Sequence, residues 1–211
     1  MTISAEPIGP AYRIVTPRLV IRCYNPCDAP LLEDAVQSSI ENLRPWMPWV
    51  ESEPEALQIK VERLRHFRAN FDLGVDFIYG IFNADETRLL GGTGLHTRVG
   101  PQAREIGYWV RTDSLHQGIA TEGTAALTRV AFEVDRVCRV ELHIDPNNWR
   151  SAAVPKKLGF QHEGTLRQRL QRSEKPWADE MVWTLLAGEY PTSPAASAAL
   201  QAYNAINERL L

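Results

Sequence analysis

The stretch His116-Gln117-Gly118-Ile119-Ala120-Thr121 puts a glycine where a helix has to begin. Glycine costs roughly 1 kcal/mol against alanine inside a helix, so its presence asks for bare backbone. The first four N–H groups of a helix have no internal partner, and the aligned peptide dipoles add about half a positive charge there. With no Cβ at Gly118 and only a methyl at Ala120, a diphosphate could rest directly on those N–H groups. A tight strand-to-helix turn is the other reading of this glycine taken alone. No lysine follows it and the spacing is not G-x-G-x-x-G, which disfavours ATP and dinucleotides. His96 and His143 lie in strand-like stretches, where imidazole offers a base near neutral pH, although a lone strand histidine is more often structural.

The elements that must hold these residues can be read from periodicity. Residues 13–24 alternate at their centre, with Leu19 and Ile21 opposite Arg18, Val20 and Arg22, and read as one edge strand. Asp28 is placed to cap a helix over 29–39. In "LRPWMPW", residues 43–49, two prolines forbid a continuous helix while two tryptophans offer large apolar faces. Ser52 with Glu55 forms a capping-box pattern ahead of a helical stripe of Leu57, Val61, Leu64, Phe67 and Phe71. Strands follow at 76–82 and 88–99, joined across "NADET", and another begins at Glu105.

Behind Gly118, a helix would bury Ile119, Gly123, Leu127, Val130 and Val134. "RVELHID" alternates Val140, Leu142 and Ile144 against Arg139, Glu141, His143 and Asp145. A helix over about 149–158 stops at Gly159, and strands at 160–170 and 179–186 complete the pattern. The tail after Pro191 is alanine-rich, has no strong apolar stripe, and reads as a peripheral segment that could be helical. This order predicts a mixed sheet with helices packed on it. The strands at Ile106 and Val140 are expected to run parallel, with the Gly118 helix as their crossover.

A chain of 211 residues is long enough for a full core, and a single domain over 1–211 is expected, with its core at about 13–186. The net charge of -3 and the lack of a basic run exclude general nucleic-acid or anionic-membrane binding. Cys23, Cys27 and Cys138 form neither a disulfide framework nor a zinc spacing, so no metal is expected. Without a long apolar run or a secretory leader pattern, a cytoplasmic protein is expected.

Residues 115–120 resemble the Q/R-x-x-G-x-G/A motif of GNAT acetyltransferases, departing from it at Leu115 and carrying Gln117 where arginine is frequent. "EIGYWV" and "DPNNWRSAAVPKKLGFQHEGTLR" are similar to further motifs of the RimJ/RimL branch, the protein N-terminal alanine and serine acetyltransferases. The likeness extends over about residues 13–186.

It implies an α/β (α+β) fold: a largely antiparallel, twisted sheet with a central, splayed parallel pair and flanking helices. It implies acetyl-CoA as donor, with Tyr108, Trp109 and Val110 along the pantetheine arm and His116, Gln117, Gly118, Ile119, Ala120 and Thr121 at the pyrophosphate. Asn148 and Ser151 match the N-x-x-S that lies beside the cofactor thiol in this branch. Trp46 and Trp49 fall in the loop that walls the acceptor side, where His96 and His143 are also expected.

Acetyl transfer to an amine needs a neutral amine, a stabilised oxyanion and a proton for the thiolate. The likeness points to Glu105 as base, with the two histidines as rivals, and to the Val110 N–H for the oxyanion. Pro155 stands where many relatives carry a tyrosine acid, which leaves Ser151 for the thiolate. The glutamate of the RimL branch has no clear counterpart after Glu163-Gly164. The acceptor would be a primary amine, either a protein N-terminus or a small molecule, and a homodimer is possible. A non-catalytic acyl-CoA-binding regulator and a nucleotide-phosphate binder are the rival functions.

Overall fold

The computed structural model describes residues 9–170 and 177–211. The expected strand over 13–24 is two strands, β1 (Arg13–Val15) and β2 (Leu19–Cys23), paired antiparallel. Pro17 explains the break, since it has no N–H for a ladder. The Thr16 N–H closes the turn on the Leu19 carbonyl at 2.9 Å. Side chains in β2 still alternate as anticipated, Ile21 joining one apolar cluster and Val20 the other.

The chain continues through α1 (Ala29–Gln37), α2 (Ile40–Leu43) and a 3₁₀ turn (Pro48–Ser52) to α3 (Leu57–Asp72). The strands β3 (Phe77–Asn83), β4 (Leu89–His96) and β5 (Ala103–Val110) lead to α4 (Ile119–Glu133) and β6 (Arg139–Ile144). Then come α5 (Trp149–Lys157), β7 (Gln161–Leu170), β8 (Ala178–Leu186) and β9 (Gln201–Tyr203). The nine strands make one sheet in the order β7-β8-β6-β5-β4-β3-β2-β1-β9.

Every neighbouring pair is antiparallel except β5 and β6, which α4 connects as a crossover. Their register covers only Ala103 with Arg139, Arg104 with Val140, and Glu105 with Glu141. Past that point β5 stays paired to β4 as far as Val110, and β6 to β8 as far as Ile144. Each strand therefore keeps its outer neighbour and loses its inner one, and a gap opens in the middle of the sheet.

One apolar cluster lies under α4, where Ile119, Leu127 and Val130 meet Ile21, Ile81, Ile106 and Val140. The other joins Leu32 and Val36 of α1 and Leu64 of α3 to Val20, Phe82 and Leu89. No helix among the described residues is long and apolar enough to cross a membrane.

Three local expectations change. Asp28 does not cap α1 with its side chain; its carboxylate takes a bidentate pair from Arg22 at 2.8 Å, a charge-assisted contact stronger than a cap. Ser52 bonds Glu55 side chain to side chain at 2.7 Å, and α3 starts only at Leu57, which is exposed. The alanine-rich tail forms 3₁₀ turns and then β9, which pairs with β1 at the sheet edge and buries Ala195 and Ala202.

Candidate active site

The Gly118 turn meets the end of the opened strand. Gly118 is the N-cap of α4 with φ +79°, and its neighbour His116 also has a positive φ, +61°. A left-handed backbone is a reason for glycine in its own right. A Cβ there would meet no protein atom closer than 3.5 Å, the Arg18 guanidinium. Among the described residues the N–H groups of Ile119, Ala120 and Thr121 make no hydrogen bond, and the first helical bond runs from Glu122 N–H to the Gly118 carbonyl at 2.9 Å. Three unengaged N–H groups at the positive end of a long, buried helix form a cradle that fits a diphosphate. The Gln117 side chain does not join it; its amide donates back to the Asp113 carbonyl at 3.2 Å.

Two cavities flank the gap. One, of about 420 Å³, runs from the cradle past Val110 to Ser151 and includes Arg150 and Lys157. The other, of about 530 Å³, is walled by Trp46, Trp49, His96, Glu105 and His143. They share Trp46, Met47, Tyr108, Trp109, Asn148 and Ser151, so a molecule in each would meet at these six residues.

The sequence explains this junction by alternation. Tyr108 and Trp109 point to opposite faces of β5. Tyr108 reaches α5, its hydroxyl 2.8 Å from Ser151 Oγ and 3.0 Å from the Ser151 carbonyl. Burial raises the Tyr108 pKa to about 12, partly offset by the Ser151 contact. Asn148 caps α5 by accepting the Ser151 N–H at 3.2 Å, which is the local reason for the N-x-x-S spacing. On the other face, the Trp109 indole stands edge-on to Trp49 with centroids 5.9 Å apart. A Cβ on Gly92 would fall on that indole, and one on Gly94 would lie 2.8 Å from the His96 ring. The alternate glycines of "GGTG" thus form a floor that admits two large rings.

Backbone direction matters too. Arg111 N–H bonds the Leu90 carbonyl and the Gly107 carbonyl accepts from Thr93, so odd-numbered residues of β5 turn toward β4. The N–H groups of Tyr108 and Val110 then face the gap.

Three candidate bases line the larger cavity in different states. Glu105 is buried, and both its oxygens are taken by Arg98. A carboxylate so clamped must surrender a bidentate pair to accept a proton, which weakens the expectation that it acts as base. His143 is held between Glu141 at Nε2, 2.8 Å, and Glu180 at Nδ1, 3.3 Å. Burial alone would lower its pKa, but the bond to Glu141 and the charges of Glu105, Glu180 and Glu141 outweigh it and raise the value. His96 bonds both oxygens of Asp76 through Nδ1 at 3.0 Å.

Apart from Gln117, every residue expected at the site lines one of the two cavities. The reading from sequence did not name four groups found here: the Tyr108 hydroxyl, Asp76 behind His96, and the cationic Arg150 and Lys157. Strict alternation in "EIGYWV" carried the signal for the first; nothing local marked Asp76, which lies 20 residues from its partner.

Residues 18–161 match the acetyltransferase (GNAT) domain family. The [ribosomal protein uS5]-alanine N-acetyltransferase of Escherichia coli is 25% identical over 186 residues, covering 86% of this chain and 94% of that one. Among solved structures, Mycobacterium smegmatis RimJ in complex with CoA-disulfide is similar with a TM-score of 0.73 at 24% identity, over 86% of this chain and 91% of that one. RimL, the ribosomal L7/L12 alpha-N-protein acetyltransferase in complex with coenzyme A, reaches 0.73 at 19% identity, over 82% and 96%. With a matched domain spanning most of the chain and a cradle at the residues that carry the motif, the chain belongs to the GNAT family and is an acetyl-CoA-dependent N-acetyltransferase.

Proposed function

We propose that the acceptor is the α-amino group of a polypeptide N-terminus. The meeting of the two cavities at Tyr108 and Ser151 carries this reading: one cavity suits a diphosphate-bearing donor, and the other is open, aromatic and partly acidic. Asp145 favours an approaching ammonium, while Trp46 and Trp49 offer apolar faces to the first side chain. Similarity to the Escherichia coli uS5-alanine enzyme over nearly its full length supports the same class of acceptor.

Bound acetyl-CoA supplies an activated acyl group; the chain supplies placement and proton transfer. The N–H groups of Ile119, Ala120 and Thr121 hold the diphosphate, with Arg150 and Lys157 adding positive charge at the mouth. The Val110 N–H, facing the gap, is the donor to the carbonyl oxygen as charge develops there. Ser151 Oγ, oriented by Tyr108, gives the proton at the departing sulfur.

A thiol-release assay with peptides beginning Ala, Ser or Met, their N-acetylated forms, and small polyamines tests the acceptor. Turnover with free but not blocked N-termini is expected. Turnover confined to the small amines would overturn the polypeptide reading, and binding of coenzyme A with no transfer to any amine would favour a regulatory module instead.

A further inference from the structure

We infer that His96 is the catalytic base and Asp76 its positioning residue. The inference rests on amine acetylation as the reaction and names the group that readies the amine. Of the three bases that the sequence offered at the acceptor cavity, two already face charged partners at both polar atoms. Glu105 gives both oxygens to Arg98, and His143 is bonded to Glu141 at Nε2 with the Glu180 carboxylate 3.3 Å from Nδ1. His96 has one nitrogen committed, Nδ1 on Asp76, and Nε2 makes no hydrogen bond among the described residues. A carboxylate only accepts, so Nδ1 carries a proton, and in the neutral ring the lone pair is then on Nε2.

The surroundings hold that ring in place. His96 lies in register with Glu105 and above Gly94 and Gly107, the next pair along the same face. A Cβ on Gly107 would sit 3.4 Å from Nε2, and one on Gly94 would sit 2.8 Å from both Nε2 and Cε1. Two glycines on adjacent strands therefore leave space for this imidazole, and His96 lines the cavity that also holds Ser151. The charged groups around it are Asp76 ahead of β3, Arg98 beyond β4, and Glu105 on β5, with Arg98 and Glu105 neutralising each other.

The proton balance closes. Of the three protons on the acceptor ammonium, one passes to His96 Nε2 and on to solvent, and Asp76 steadies the imidazolium meanwhile. The nitrogen lone pair forms the N–C bond as the thioester C–S bond breaks. A second proton ends, by way of Ser151, on sulfur, and the third remains on the amide.

The test uses the full chain, acetyl-CoA and a peptide with a free N-terminal alanine. His96→Gln should lower kcat/KM roughly 100-fold, the low end of the range for general bases, leave the Kd for coenzyme A unchanged, and remove the acidic limb of the pH profile. Imidazole added to His96→Ala should restore turnover in proportion to its concentration, which a purely structural role would not allow. Asp76→Asn should give a smaller loss with KM little changed. A His96→Gln enzyme within twofold of wild type, with the same pH profile, would overturn the assignment. Failure of the wild type itself to acetylate any amine would instead remove the reaction on which the assignment stands.

Discussion

The Tyr108 hydroxyl and Ser151 Oγ stand 2.8 Å apart across the gap between β5 and α5, on the dividing line of the two cavities. The serine thereby acquires a partner that is buried, neutral and fixed on a strand. Tyr108→Phe leaves the ring packing intact and removes the two contacts of this hydroxyl, to Ser151 Oγ and to the Ser151 carbonyl. We expect kcat to fall by roughly tenfold to 100-fold with KM for acetyl-CoA nearly unchanged, the pattern of a lost proton-transfer aid. Steady-state kinetics decide it, and a change confined to KM would speak for a binding role.

Gly118→Ala has no steric conflict with the protein, the nearest atom lying at 3.5 Å, yet it forces a side chain onto φ +79°. The left-handed conformation costs roughly 1–2 kcal/mol for a non-glycine residue. That cost is borne at the cradle, so affinity for coenzyme A should drop about tenfold by calorimetry, a change of about 1.4 kcal/mol. Unaltered affinity in a folded variant would remove the cradle from the binding account.

Gly92→Ala acts on the acceptor side instead. Its Cβ would collide with the Trp109 indole, which rests against Trp49. A raised KM for the peptide with normal coenzyme A binding is the expected signature, read from initial rates at saturating donor.

Lys60 and Glu53 are fully buried side chains paired at 2.7 Å, and they tie the exit of the tryptophan-bearing turn to α3. Lys60→Met strands the Glu53 carboxylate, leaving it the Glu55 N–H at 2.9 Å and Arg63 at 3.9 Å. Breaking a buried pair in this way costs about 3 kcal/mol, to be read from denaturant midpoints. The double variant Lys60→Met with Glu53→Leu should recover most of the loss, since it leaves no buried charge alone.

Stability should also depend on His143. Its folded pKa is raised above the usual 6.5 by Glu141, Glu105 and Glu180 acting against burial. The contribution of the charged form is therefore complete below about pH 6.5 and disappears as pH climbs through the raised value. Thermal melts of wild type and His143→Gln should differ most in mildly acidic buffer and converge under alkaline conditions. A constant gap across that range would mean that the pair contributes nothing by charge.

Local order decided much of what could be read without coordinates. The parallel pair, its crossover helix, the Gly118 start and the Gly159 stop all follow from periodicity and backbone freedom within a few residues, and the motif around 115–120 led from there to a donor. Contacts between distant segments were a different matter. No pattern in β4 announces that Asp76 would orient His96, that Arg98 would occupy Glu105, or that Tyr108 would reach Ser151, 43 residues on. The tail shows the same limit: its alanines permit a helix, and only the unpaired edge of β1 makes a strand the better use of its backbone hydrogen bonds. A residue's type and neighbours set what it can form, whereas which proton carrier stays free depends on partners that only the closed sheet brings within 3 Å.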